Sequence, residues 1–324
     1  MIEIGYALSS EEHGPADLVR YARRAEEVGF TFALISDHFH PWIDRQGNSP
    51  FAWTVIGAIA QATERLRLGT GVTCPLMRYH PAIVAQAAAT AAMLMPGRFF
   101  LGVGSGENLN EHIVGQHWPP APVRLEMLEE AVEVIRLLWQ GGMQSHRGRY
   151  YTVEHARLYS LPDQPPPIMV AASGKRSAEL AARVGDGLIS VGPNKKAREA
   201  FDAAGGKGKP RIGQLHVCWA ASDAEARRVA YEWWPNAGLQ GELTSVLPLP
   251  RHFQQAVATV REEDVAGAVV CSADPERHVQ AIQQFADAGF DQVWVGQAGP
   301  DQEGFFRFYE REVLPRVRRQ AQAA

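Results

Sequence analysis

Ser36-Asp37-His38-Phe39-His40-Pro41-Trp42 places ionisable side chains directly after the apolar run Phe32-Ala33-Leu34-Ile35. Such a run, closed by Pro41, reads as a buried strand that delivers Asp37 and His38 to its own C-terminal end. Seating charge there carries a desolvation cost that a purely structural strand avoids. Histidine ordinarily titrates near neutrality, so His38 can take a proton from an alcohol and return it. Two carboxylates follow other strands: Glu11 after the first, and Glu107 after Gly104-Ser105-Gly106. The small residues before Glu107 let its carboxylate approach a ligand closely. A histidine and a carboxylate facing one cavity form a workable base and acid pair.

Other patterns are less specific. Ser173-Gly174-Lys175-Arg176-Ser177 reads as a helix N-terminus offering backbone N–H groups to an anion, or as a simple cap. Gly102-Val103-Gly104-Ser105-Gly106-Glu107 lacks the context of a dinucleotide fingerprint and alone reads as a tight turn. Trp42 and Trp53, taken singly, read as core aromatics. His38 and His40 form a His-x-His pair that could chelate zinc. Later strand ends, Ser190-Val191-Gly192 and Val295-Gly296-Gln297, add no further ligands, so no metal is expected.

Strands that could position these groups recur along the chain. Apolar or glycine-bearing runs predict them over residues 2–8, 31–35, 65–72, 98–103, 168–172, 188–191, 211–220 and 292–296. Helical patterns separate them. Pro15 opens the first, with Leu18, Ala22, Ala25 and Val28 at helical spacing and Gly29 as the stop. An alanine-rich helix follows His80-Pro81, and Leu125, Leu128, Val132 and Ile135 share one face of another. Ser222 is an expected N-cap. Residues 141–164 have hairpin character and read as an insertion. Residues 235–263 have no clean period and read as a mobile or helical excursion over the active face. Eight strands, each followed by a helix, predict a single-domain α/β chain over residues 1–324. Its expected fold is a (β/α)8 TIM barrel with insertions over the C-terminal face, where the chemistry of such barrels collects.

Composition narrows the function. At 324 residues, 46% hydrophobic and 21% charged, the chain can bury a sizeable core. A net charge of −4 offers no nucleic-acid footprint. No apolar run is long enough to span a membrane, and the start lacks a signal-like segment. Three scattered cysteines, Cys74, Cys218 and Cys271, suggest neither a disulfide framework nor a paired-cysteine site. No membrane or nucleic-acid partner is expected, and the cytoplasm is the expected compartment.

Three motifs together resemble one family. Ser36-Asp37-His38-Phe39-x-Pro41-Trp42, Leu68-Gly69-Thr70-Gly71-Val72 and Leu101-Gly102-Val103-Gly104-Ser105-Gly106-Glu107-x-Leu109-Asn110-Glu111 are similar to coenzyme F420-dependent glucose-6-phosphate dehydrogenases and the wider luciferase-like F420 oxidoreductases. Pro96-Gly97-Arg98 and Gly185-Asp186-Gly187 fit as well. The likeness is strong over residues 1–192 and collinear to the C-terminus. It implies a luciferase-like barrel that binds coenzyme F420 and transfers a hydride between an alcohol or sugar hemiacetal and the deazaflavin C5. By matching position, His38 is the base, Glu107 the acid, and Trp42 the wall of the hydride path. Asp37 and Glu11 shape the pocket. Gly71-Val72 falls where the family carries a non-prolyl cis peptide behind the ring. Cys74, where relatives carry threonine, joins Ser105, Gly106, Asn110, Ser173, Gly174, Arg176 and Ser177 as cofactor-contacting positions.

The sugar-phosphate pocket of that family is not reproduced. Its threonine and lysine after strand six fall on Val191 and Asn194, with Lys195 and Lys196 adjacent. A second lysine falls near Gln254 or Gln255, and an arginine near Ala281. A phosphate dianion wants such charges. The expected substrate is therefore an uncharged sugar, a secondary alcohol or a lipid alcohol rather than glucose 6-phosphate. An FMN-dependent monooxygenase of the same barrel superfamily and a non-catalytic F420-binding protein are the alternatives. A homodimer is expected from the resemblance.

Overall fold

The computed structural model describes residues 2–323. The first half alternates regularly: β1 (Glu3–Leu8), α1 (Pro15–Val28), β2 (Phe32–Ile35), α2 (Ala52–Ala62), β3 (Arg67–Thr70), α3 (Pro81–Leu94) and β4 (Phe99–Val103). A short α4 (Asn108–Glu111) and the long α5 (Ala121–Trp139) follow, then the hairpin β5 (Gln144–Arg147) and β6 (Thr152–Ala156). Regular alternation resumes with β7 (Ile168–Ala171), α6 (Lys175–Val184), β8 (Gly187–Val191), α7 (Lys195–Phe201), β9 (Arg211–Cys218) and α8 (Asp223–Trp233). Three short helices, α9 (Leu243–Val246), α10 (Pro250–Val257) and α11 (Glu262–Ala266), precede β10 (Val270–Cys271), α12 (Pro275–Asp287) and β11 (Gln292–Gln297). α13 (Gln302–Phe308) and α14 (Leu314–Ala323) end the chain, joined through a π turn.

Eight of these strands pair in parallel, in the order β1-β2-β3-β4-β7-β8-β9-β11, and β11 returns to β1. The sheet is thus a closed (β/α)8 barrel, as the alternation of strand and helix predicts. β5 and β6 form the hairpin insertion, and the two-residue β10 adds to the end of β9. That extra strand lacks a sequence signal because two residues carry no period. The excursion over residues 235–263 is helical.

Local sequence explains the elements. β2 is buried on both faces, hence its unbroken apolar run. α1 opens on a proline and stops at Gly29, whose φ of 99° suits glycine. Alanines let α3 lie flat on the sheet. The barrel interior is plugged by Phe32, Leu34, Phe100, Met169, Ile189, Ile212 and Trp294. Gly69 belongs to that plug, since a Cβ there would strike the Phe100 ring. Above the plug, the strand ends open into a cavity.

Candidate active site

The cavity encloses about 380 Å³ at the C-terminal mouth of the barrel. Glu11, His38, Trp42, Gly71 and Glu107 all line it. The base and the acid expected from sequence therefore meet at one site. Each is delivered by a strand end: Glu11 by β1, His38 by β2, and Glu107 by β4 as the N-cap of α4.

His38 is fixed at both nitrogens. Its Nδ1 lies 3.2 Å from the His40 carbonyl, and its Nε2 lies 3.4 Å from Glu11 Oε1. A carbonyl only accepts, so the neighbours assign the hydrogen to Nδ1 and leave Nε2 to take or release a proton. Glu11 is held in turn. Ser36 donates to its Oε2 at 2.6 Å and Ser9 at 3.1 Å. The His38 ring meets Trp42 edge-on at 5.0 Å, and Trp42 meets Phe253 of α10 in the same way at 5.2 Å. The helical excursion thus supports the aromatic wall. Asn108 Nδ2 donates to the Val246 carbonyl, which ties α4 to α9.

Several expected residues work one layer out. Asp37 does not line the cavity. It accepts from Thr73 Oγ1 at 2.7 Å and pairs with Arg78 at 3.1 Å and Tyr79 at 3.1 Å. Arg78 also pairs with buried Glu111 at 3.4 Å. The pairing with Asp37 helps hold the Arg78 guanidinium charged despite burial. Asn110 is buried. Its Oδ1 accepts from the backbone of Phe39 and His40, and its Nδ2 donates to Glu107 Oε2 at 3.3 Å. It therefore links the loops that carry base and acid. Cys74 packs beneath Gly106, whose φ of 72° and closeness to that sulfur leave no room for a side chain. Burial pushes the Cys74 thiol well above its ordinary pKa. His40 turns away from His38 to the Leu109 carbonyl at 2.9 Å.

The Gly71-Val72 peptide is cis, directly after β3. Ser173, Gly174 and Arg176 are exposed at the start of α6. The Ser177 hydroxyl caps that helix, accepting from the Gly174 N–H at 3.2 Å. Asn194 Nδ2 donates to the Ser173 carbonyl, bringing the start of α7, with Lys195, to the same rim. An elongated, anionic cofactor fits this layout. A ring seated in the cavity would lie near Gly71, and the α6 terminus would offer N–H groups and Arg176 to a phosphate.

Sequence reading missed Glu12, Gln214, His216, Trp234 and Asn236, all of which line the cavity. A signal existed for two of them. Gln214 and His216 are polar positions at spacing two on one face of a strand.

Comparisons with known proteins agree with this fold. The profile of the luciferase-like monooxygenase family matches residues 1–292. A protein named F420-dependent glucose-6-phosphate dehydrogenase from Microbacterium testaceum is 36% identical over 330 residues, 98% of each chain. One of the same name from Beutenbergia cavernae is 36% identical over 332 residues, also 98% of each. Among solved structures, an F420-dependent secondary alcohol dehydrogenase in complex with an F420-acetone adduct superposes with a TM-score of 0.91. It is 32% identical, covering 98% of this chain and 99% of that one. Matched nearly end to end by such relatives and by the family profile, the chain belongs to the luciferase-like monooxygenase family.

Proposed function

We propose that this protein is an F420-dependent dehydrogenase acting on CH–OH groups, with His38 as the base and Glu107 as the acid. The observation that carries the reading is the shared cavity of those two residues, with Nδ1 of His38 held by the His40 carbonyl and Nε2 beside Glu11. The names of the full-length relatives and the secondary alcohol dehydrogenase structure support the cofactor and the bond attacked. Bound F420 supplies a ring carbon that accepts or returns a hydride. Gly71, Val72, Ser105, Gly106, Ser173, Gly174 and Arg176 would hold it, with Cys74, Asn110 and Ser177 backing those contacts.

The chain's own residues divide the remaining work. His38 Nε2 takes the proton of the substrate hydroxyl. Glu11, at 3.4 Å, stabilises the imidazolium that forms and keeps the ring in place. Trp42 shields one side of that contact from water. Glu107, oriented by Asn110, would serve as the acid at the cofactor side of the cavity. Run in reverse, His38 returns its proton to the oxygen of a carbonyl that is being reduced, and Glu107 takes a proton back at the cofactor side. We expect the enzyme to work as a homodimer in the cytoplasm, a state that sedimentation of the purified protein checks.

The test is direct. The purified protein should bind F420 and bleach its absorbance when an alcohol is added. Tight FMN binding and oxygen uptake, with no F420 binding, would instead identify a flavin monooxygenase. F420 binding without turnover across alcohols and carbonyls would identify a carrier.

A further inference from the structure

Proton transfer leaves a second set of polar groups in the cavity unexplained. Glu12 follows Glu11 after β1 and is buried. Its Oε1 accepts from the Gly299 N–H at 2.8 Å, but its Oε2 has no partner. Burial raises the carboxyl from 4.5 to about 8, and Glu11 adds to the rise. The Gly299 N–H, the Trp234 indole and the Ser9 hydroxyl oppose it without overcoming it. Glu12 is therefore a neutral acid at neutral pH, able both to donate and to accept. The Trp234 indole N–H approaches this carboxyl without closing a bond of ordinary geometry. It and Asn236 Oδ1 are likewise buried and unpartnered.

β9 contributes from the side. Ile212 lies in the interior plug, and Gln214 and His216 continue its inward row up to the cavity. Neither side chain makes a hydrogen bond among the described residues. The His216 ring lies 5.3 Å from Trp234, and burial lowers its pKa to about 4, so it too is neutral. Each buried polar atom without a partner costs about 1–3 kcal/mol, which a ligand that completes it returns. Charge narrows that ligand further. Glu11, Glu12 and Glu107 line the cavity, and among the described residues no lysine or arginine does. A phosphate would meet carboxyl groups and no counter-charge.

We propose that Glu12, Gln214, His216, Trp234 and Asn236 form a neutral hydrogen-bonding wall that selects an uncharged polyol or unphosphorylated sugar, binding hydroxyls other than the one oxidised. This deepens the dehydrogenase reading and rests on it for the identity of the reacting hydroxyl.

Calorimetric titration tests the proposal. The protein is loaded with reduced F420, so that an added alcohol binds without reacting. Erythritol and D-glucose should bind at least about tenfold more tightly than 2-butanol, and more tightly than glucose 6-phosphate by a similar factor. Glu12→Leu should erase about tenfold of the polyol preference, whereas Glu12→Gln, which keeps a neutral donor and acceptor, should restore most of it. If Glu12→Leu does not fold, His216→Phe is read for the same loss. Equal affinities for erythritol, D-glucose and 2-butanol, or tighter binding of glucose 6-phosphate, would overturn the proposal. Failure to bind F420 would sink only the cofactor reading, because the unloaded chain still ranks the four ligands.

Discussion

His38 acts through one nitrogen because the other is held by the His40 carbonyl, and Glu11 stands ready for the charge that results. Replacing it with alanine should lower kcat by about 10²–10⁴-fold, the usual worth of a positioned base. F420 affinity, read by fluorescence titration, should change little. Asp37 has a different fate. Sequence marks it as a pocket residue beside His38, yet its carboxylate is buried against Arg78. Asp37→Ala removes one of that guanidinium's two carboxylate partners, leaving Glu111, and should cost about 1.5–3 kcal/mol of stability in a denaturant titration. The sequence could not distinguish these neighbours. Arg78 lies on a distant loop, and nothing in the motif says which of two adjacent side chains turns inward. Glu12 was hidden for the same reason, standing next to Glu11 with no motif of its own.

At the level of elements, the strand-helix alternation was legible because barrel strands are buried on both faces and read as unbroken apolar runs. Gly71-Val72 also fell where the resemblance puts the cis peptide. The stretch after α8 was legible only as an excursion over the mouth, not helix by helix. Its three short helices are held by contacts with the mouth rather than by their own periodicity, as with Asn108 to Val246 and Phe253 to Trp42. Phe253 is fully buried, so Phe253→Ala should cost about 3–5 kcal/mol. It should also loosen the Trp42 wall and raise KM for the alcohol more than it lowers kcat. Steady-state kinetics on a variant shown to be folded separates the two effects. Small residues at the plug obey the same logic in reverse. Gly69→Ala inserts a methyl against Phe100 and should lower stability through overpacking, read as a reduced melting temperature.

Across the whole molecule, buried titratable groups set how stability varies with pH. Glu12 has its carboxyl raised to about 8, so above its unfolded value the folded chain retains a proton that the unfolded chain releases. Its contribution is full at low pH and is lost as pH rises towards 8. Buried Glu111, raised to about 7, acts in the same direction. His13 and His216, both lowered to about 4, act oppositely between about 4 and 6.5. Between about pH 7 and 8 Glu12 should contribute a slope that falls from about 1.2 to about 0.7 kcal/mol per pH unit, with Glu111 adding to it near pH 7. Glu12→Gln should flatten that slope in melts recorded across the interval, and an unchanged slope would show that Glu12 ionises freely. No helix among the described residues is long and apolar enough to cross a membrane, and the mouth of the barrel is where the ionisable side chains converge.

The most direct measurement mixes the protein with oxidised F420 and an alcohol panel that includes polyols, then follows loss of the cofactor's absorbance for the natural chain and for His38→Ala. The account predicts bleaching by the natural chain and near-silence from the variant, with F420 bound by both. Bleaching at equal rates would contradict it, as would a natural chain that binds FMN and leaves F420 untouched.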